Sequence, residues 1–110
     1  MQEQPLYQMK ADFFRTLGHP ARIRALELLC DGELSVAEML PQIEVEQANL
    51  SQHLAVLRRA GLVTSRREGS FVRYTLTSPE VAELLGVARR ILTGVVAGQA
   101  DALAPRRASA

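Results

Sequence analysis

The stretch NLSQHLAVLRRAGLV, residues 49–63, combines two patterns that together decide the fold. Leu50, Leu54 and Leu57 recur at intervals of four and three residues, which is the spacing of one buried face of an α-helix. Short polar side chains lie between these leucines, and Gly61 ends the helix before apolar residues resume. The sequence therefore predicts a helix with a buried leucine face and a polar outward face.

The outward face of this helix has side chains suited to reading DNA bases. With the leucines turned inward at about 100° per residue, the outward positions are Ala48, Gln52, Ala55 and Arg59, flanked by Asn49, Ser51 and Arg58. Amide side chains offer a donor and an acceptor together, which matches the edge of adenine in the major groove. An ordinary surface helix would more often carry glutamate and lysine, so the pattern predicts a DNA-reading helix.

The segments before this helix predict three further helices. A first helix is expected from Pro5 to about residue 17, and a second after His19-Pro20, with the histidine as cap and the proline in the first turn. Ser35 and Glu38 form a capping-box pattern that starts a short third helix, and Pro41 ends it. A short helix, a tight turn and a longer helix constitute a helix-turn-helix.

After Gly61 the apolar pattern changes to a period near two. Residues 62–68 and 71–77 are rich in β-formers and are separated by Gly69-Ser70, which predicts a hairpin with Tyr74 turned inward and Phe71 outward. A last helix follows from residue 78. The predicted fold is mainly α with a small β-hairpin, a winged helix-turn-helix of order α-α-α-α-β-β-α.

Length and composition favour one domain. A chain of 110 residues suits a single core, and we expect that domain to span residues 1–104, with 105–110 as a disordered tail. No apolar run approaches the roughly 20 residues that a membrane span needs, and the first ten residues lack an apolar signal-peptide core. We therefore expect a cytoplasmic protein that does not contact membranes.

The charges are distributed unevenly although the net charge is only +1. From Arg58 to Arg73 there are five arginines and one acid, Glu68. We expect the hairpin arginines, Arg66, Arg67 and Arg73, to contact phosphate or an adjacent minor groove. Two alternatives remain open: a solvated arginine-rich surface, and a hairpin whose charges protect its edges from aggregation.

Four segments, HPARIRALELL, LSVAEML, NLSQHLAVLRRAGLV and REGSFVRYTL, in this order and spacing, resemble the ArsR/SmtB family of winged-helix bacterial repressors. The resemblance covers residues 13–85. It implies a homodimer built on the first and last helices, binding to a palindromic operator in double-stranded DNA, and repression relieved by an effector. It also matches Gln47, Ser51, Gln52 and His53 to the family's reading-helix motif, and residues 66–73 to its wing.

The candidate DNA-contacting residues lie on the reading helix and the wing. His53 is on the buried edge of the wheel, where a structural hydrogen bond is favoured over base reading. The full set is Gln47, Ala48, Asn49, Ser51, Gln52, His53, Arg58, Arg59, Arg66, Arg67, Ser70 and Arg73.

Dimerisation has independent support, because the last helix carries more apolar positions than a small core needs. The candidate interface is Leu6, Met9 and Phe13 from the first helix, with Leu84, Ala88, Ile91, Leu92 and Val95 from the last. The alternative is that both stripes merely cover the core of the monomer. A two-fold dimer would set its reading helices about 34 Å apart, one turn of DNA.

The chain departs from the metal-sensing members of the resembled family. Where one site type has a Cys-x-Cys pair, this sequence has Ser35 and Ala37. Where another uses Asp and His on the last helix, it has Glu80, Glu83 and Asp101 but no histidine. Soft and borderline metals prefer thiolate or imidazole, so we expect no metal and no cofactor.

The single cysteine, Cys30, excludes an internal disulfide. Because it ends an apolar helix, we expect a buried, inert thiol, with a redox or electrophile sensor as the alternative. The sequence contains no Gly-rich phosphate loop and no nucleophile arrangement, so an enzyme is not expected.

The sequence thus favours a dimeric repressor acting near its own gene, with an unknown inducing signal. The alternative is a winged-helix module that binds protein, which should expose apolar residues where the arginines lie.

Overall fold

The structure is a computed structural model that describes residues 3–103, with side chains described as far as residue 98. The expected tail, 105–110, lies outside these residues. The elements follow the chain as α1 (Leu6–Leu17), α2 (Pro20–Leu29), β1 (Leu34–Ser35), α3 (Val36–Met39), α4 (Gln47–Arg59), β2 (Val63–Glu68), β3 (Phe71–Leu76) and α5 (Pro79–Leu103), with a 3-10 turn at Leu40–Gln42. The winged helix-turn-helix predicted from the sequence is confirmed.

Two of the predicted helix starts have the expected caps. At α2, the Nδ1 atom of His19 accepts a hydrogen bond from the backbone N–H of Ala21, and Pro20 occupies the first turn. At α3, the Ser35 hydroxyl accepts from the N–H of Glu38, while the Glu38 carboxylate accepts from the N–H of Ser35 at 2.9 Å. This reciprocal pair fixes the entry to the helix-turn-helix.

The wing is part of a three-stranded antiparallel sheet, not a hairpin alone. The strand order is β1-β3-β2, and the two residues of β1, Leu34 and Ser35, pair with Tyr74 and Arg73 of β3. β1 is not predicted from the sequence, because two residues are too few to show a periodic pattern. Pairing with β1 attaches the wing to the chain segment that leads into α3.

The core is formed by the leucine faces of the helices. Leu50, Leu54 and Leu57 of α4 are completely buried, and they pack with Leu26 and Met39 in one hydrophobic cluster. Tyr74 is partly buried against this cluster, as predicted. The anchored side of α4 is therefore the predicted one.

Cys30 is a correction to the predicted core. It was expected to be buried, but α2 ends at Leu29, which is 2% exposed, and Cys30 follows as an exposed C-cap residue. Because the helix ends one residue earlier, Leu29 fills the core position and Cys30 lies outside the core.

The two terminal helices keep large apolar side chains outside the core. In α5, Val81 is buried and Leu84 and Leu85 pack partly against the core, but every described side chain from residue 87 to residue 98 is exposed. The exposed large apolar residues of these helices are Leu6, Tyr7, Met9, Phe14, Val87, Ile91, Leu92, Val95 and Val96. None of the helices within residues 3–103 is both long enough and apolar enough to cross a bilayer.

Candidate nucleic-acid interface

The outward face of α4 is open to solvent. Opposite the buried leucines, the exposed residues of this helix are Gln47, Ala48, Asn49, Ser51, Gln52, Arg58 and Arg59. Ala55, predicted on the same face, is partly buried. The N-terminal half of α4 thus presents small, amide and hydroxyl side chains on a helix that is fixed from behind. A helix with this form fits the major groove.

His53 lies at the edge of this face and contacts the protein itself. Its ring is partly buried, and its Nδ1 atom accepts a hydrogen bond from Nε of Arg22 at 3.2 Å. Its ring centroid is 4.2 Å from that of His19. Partial burial lowers the pKa of His53, and the neighbouring His19 and Arg22 lower it further. This geometry favours the structural role considered for His53 over base reading.

Two of the three wing arginines form ion pairs with acids. Arg66 donates two hydrogen bonds to the Glu33 carboxylate, at 2.6 and 3.0 Å, and lies 2.9 Å from Glu68. Arg73 lies 3.0 Å from Glu38 and 3.4 Å from Glu68. Glu33 and Glu38, which are distant from these arginines along the sequence, are therefore close to them in space. These two carboxylates neutralise part of the excess positive charge between Arg58 and Arg73.

The remaining arginines form the exposed positive surface of this side. Arg58 donates to the Ser65 hydroxyl at 3.4 Å, which connects the end of α4 to β2. Arg59 and Arg67 are exposed, and neither forms an ion pair within the described part of the chain. The end of the wing also exposes Ser70.

Phe71 is exposed at the wing tip, with 56% of its surface accessible. Strand alternation predicted that it turns outward, but it was not included among the candidate contacts. Arg22 and Glu33 were also missed, because their partners are 31 and 33 residues away along the chain.

The setting of Cys30 differs from that of a reactive thiol. Its Sγ atom donates a hydrogen bond to the carbonyl of Leu26. Partial desolvation raises the pKa of the thiol, and the neighbouring carboxylates of Asp31 and Glu27 raise it further. Reactive thiols need a cationic setting that lowers the pKa. Among the described residues, no group of three or more His, Cys, Asp and Glu side chains is arranged to hold a metal ion.

The residues predicted for a dimer interface fall into two groups. Leu6, Met9, Ile91, Leu92 and Val95 are exposed by 47% or more, and Ala88 is exposed as well. Phe13 and Leu84 are partly buried and pack against the monomer's own core. Phe13 and Leu84 therefore already contact the monomer's own core, whereas the exposed group does not. The dimer interface stays a prediction.

The sequence matches a known family of regulators. The profile of the bacterial regulatory protein, arsR family, matches residues 19–65, which include α2, the helix-turn-helix and the start of the wing. The chain is 50% identical over 109 residues to an uncharacterized HTH-type transcriptional regulator of Mycobacterium tuberculosis, Rv0081, covering 98% of this chain and 96% of that protein. The chain belongs to the arsR family of bacterial regulatory proteins.

Other relatives in this family act in opposite directions. The chain is 43% identical over 77 residues to the transcriptional activator HlyU of Vibrio cholerae, covering 70% of this chain and 71% of HlyU. It is 41% identical over 75 residues to a biofilm growth-associated repressor of Agrobacterium fabrum, covering 68% of this chain and 64% of the repressor. These similarities identify this arsR-family protein as a DNA-binding transcriptional regulator.

Solved structures agree with the fold. The crystal structure of M. tuberculosis Rv0081 matches with a TM-score of 0.81 at 49% identity, covering 89% of this chain and 99% of that one. A homodimeric winged helix-turn-helix DNA-binding domain from Mycobacterium bovis, Mb0332, matches with a TM-score of 0.71 at 26% identity, covering 84% and 91%.

Proposed function

We propose that this arsR-family protein is a homodimeric repressor that binds a palindromic operator near its own gene. In this proposal α4 of each subunit enters the major groove and the wing contacts phosphate or the adjacent minor groove. The single observation that carries the proposal is the exposed face of α4, with Ser51 and Gln52 open to solvent opposite three fully buried leucines.

The wing contributes through its exposed side chains. Arg59 and Arg67 offer charges that are not taken up by acids of the described chain, so they are the strongest candidates for phosphate contacts. Arg66 and Arg73 can contact DNA only if each gives up an ion pair with a carboxylate of the protein for one with a DNA phosphate. Phosphate contacts orient the protein on the duplex, whereas base contacts from α4 supply the sequence preference.

The dimer is supported by the exposed apolar residues of α1 and α5. Ile91 and Leu92 are exposed by 60% and 61% on the distal half of a 25-residue helix. Patches of this kind mark association surfaces. Mb0332, which has the same fold, is a homodimeric domain. A two-fold pair would present two copies of α4 to successive major grooves.

In this proposal, repression results from the binding of the dimer to the promoter DNA. A dimer that covers a promoter excludes polymerase, and this requires no contact with the transcription machinery. Since HlyU is an activator, the direction of regulation is tested directly: deletion of the gene should raise transcription from the adjacent promoter. A fall in transcription on deletion would show activation.

DNA binding is tested by titrating the protein against its own upstream region and a scrambled duplex. We expect the upstream region to bind at least about a hundredfold more tightly at physiological salt, with affinity for both falling steeply as salt rises. Equal affinity for the two duplexes would contradict sequence-specific regulation and favour the protein-binding alternative.

The proposal also includes the expected location, target, domain and chemistry of the protein. The protein acts in the cytoplasm on double-stranded DNA, as one domain of residues 1–104. It has no metal, cofactor or enzymatic activity.

A further inference from the structure

Arg22 connects the end of α1 to the reading helix. Its Nη1 atom donates to the backbone carbonyl of Thr16 at 3.2 Å, and its Nε atom donates to Nδ1 of His53 at the same distance. Arg22 is partly buried, so it is held inside the interface between α1, α2 and α4. One guanidinium therefore joins a helix of the proposed dimer surface to the helix proposed to read bases.

This connection depends on the protonation state of His53. Nδ1 accepts a hydrogen bond only while it carries a lone pair, and the neutral ring then has its proton on Nε2. A protonated ring donates from both nitrogens, so it loses the bond to Arg22. Protonation of His53 also places a positive charge beside the permanent positive charge of the Arg22 guanidinium.

Among the residues that the structure describes, no carboxylate acts on the ring of His53. The titratable and charged groups that act on its ring are His19 and Arg22, both from the start of α2, and α1 contributes only the Thr16 carbonyl that holds Arg22. Partial burial and these two groups lower the pKa of His53 below its usual value near 6.5. The ring is therefore neutral at neutral pH, and it becomes charged only at a lower pH than an unperturbed histidine.

We propose that Arg22 and His53 are positioning residues that set the orientation of α4, and that protonation of His53 releases this orientation and lowers base discrimination. The inference rests on the proposed function, because it assigns a regulated state to the same reading helix. It predicts that specificity, and not merely affinity, depends on pH.

The test is the ratio of affinities for the upstream region and a scrambled duplex, measured from about pH 7.5 to about pH 5. For the unmodified protein we expect this ratio to fall about tenfold, the size of effect expected when a hydrogen bond to a charged group is lost. The ratio cancels the general gain in DNA affinity that any added positive charge produces.

Two asparagine variants distinguish the contribution of His53 to the pH dependence from that of His19. His53→Asn keeps an acceptor oxygen near the position of Nδ1 without a titrating group, so its ratio should stay near the neutral-pH value at every pH. His19→Asn keeps a good helix cap and leaves His53 in place, so its ratio should fall with acid as in the unmodified protein. Circular dichroism at each pH confirms that each variant remains folded.

Three outcomes would overturn the inference. The first is a ratio that stays constant with pH in the unmodified protein. The second is a pH dependence lost in His19→Asn but kept in His53→Asn. The third is an equal loss of discrimination at neutral pH in His53→Asn and His53→Ala, which would make His53 a base-contacting residue. If the unmodified protein shows no preference for the upstream region at about pH 7.5, the proposed function itself has failed.

Discussion

Ser35 has a structural role in the fold, whereas Ser51 is available for binding. Both are serines near the start of a helix, but Ser35 is 5% exposed and caps α3, while Ser51 is exposed on the outward face of α4. The sequence indicated the capping role of Ser35 from the glutamate three residues later. It indicated the exposure of Ser51 from its place between leucines that are spaced to be buried.

Replacing Ser35 with alanine should lower the free energy of unfolding by about 1 kcal/mol, because the N–H of Glu38 loses its acceptor. The measurement is urea denaturation at neutral pH. Ser51→Ala is the matched control and should change stability by less than about 0.5 kcal/mol while weakening DNA binding. Similar stabilities for both variants would contradict the cap assignment.

Glu38 should make stability depend on acid pH. Its pKa is lowered, first by the hydrogen bond from the Ser35 N–H and also by Arg73. Since the folded pKa lies below the unfolded value near 4.5, the stabilisation is present above that value and is lost as pH falls through the folded pKa.

Glu38→Gln keeps an acceptor for Ser35 but cannot titrate. We therefore expect the difference in melting temperature between the unmodified protein and this variant to shrink between about pH 6 and about pH 3. A constant difference across this range would show that the Glu38 charge does not contribute to folding.

At the scale of elements, the ion pairs connect the wing to the body of the domain. Glu33 precedes β1 and Glu38 belongs to α3, so Arg66 and Arg73 hold the hairpin against the segment that leads into the helix-turn-helix. Each pair combines one exposed and one partly buried side chain, and pairs this accessible to solvent contribute little stability. Their main consequence is to determine which arginines remain available to DNA.

Arg67→Ala should weaken binding to every duplex and reduce the salt dependence by about one phosphate contact. Glu33→Gln is the complementary change. It releases Arg66 from its bidentate partner and should increase affinity for scrambled DNA. Salt titrations of both variants provide the measurement. An Arg67→Ala protein with an unchanged salt slope would remove Arg67 from the interface.

Periodicity predicted the elements, but tertiary contacts decided the details. The helical spacing of Leu50, Leu54 and Leu57, the capping box before the short third helix and the Gly69 turn between two alternating segments together predicted the winged helix-turn-helix. The strand β1 was not predictable, because its two residues form a strand only by pairing with β3.

The electrostatics of the site depended on contacts that no local pattern contains. Glu33 and Arg66 are 33 residues apart, and Arg22 and His53 are 31 apart. Similarly, the burial expected for Cys30 depended on where α2 ended, and helix ends predicted from sequence are uncertain by one or two residues.

At the scale of the whole molecule, the exposed apolar residues of α1 and α5 require an explanation. A monomer would leave Ile91, Leu92 and Val96 in water, each exposed by 60% or more. The proposed association through these residues would remove that surface from solvent and give the pair a two-fold axis, the symmetry of the proposed palindromic operator.

Leu92→Glu should convert the proposed dimer into a folded monomer, because the Leu92 side chain is exposed and is not part of the monomer's core. Ala97→Glu, at an exposed position on the opposite side of α5, is the control and should leave the dimer intact. Analytical sedimentation measures the mass of the assembly that each variant forms, and circular dichroism shows whether each variant is folded. A dimer that survives Leu92→Glu unchanged would place the interface elsewhere.

The most direct test of the account is whether Gln52, at the centre of the exposed face of α4, recognises a particular base pair. Affinities of the unmodified protein and of Gln52→Ala are measured for the operator and for duplexes with each base pair changed in turn. We predict that Gln52→Ala loses about 1–3 kcal/mol of discrimination between base pairs at one symmetric pair of operator positions. Discrimination at the other positions should be unchanged. Unchanged discrimination at every position would contradict the claim that this face of α4 reads DNA.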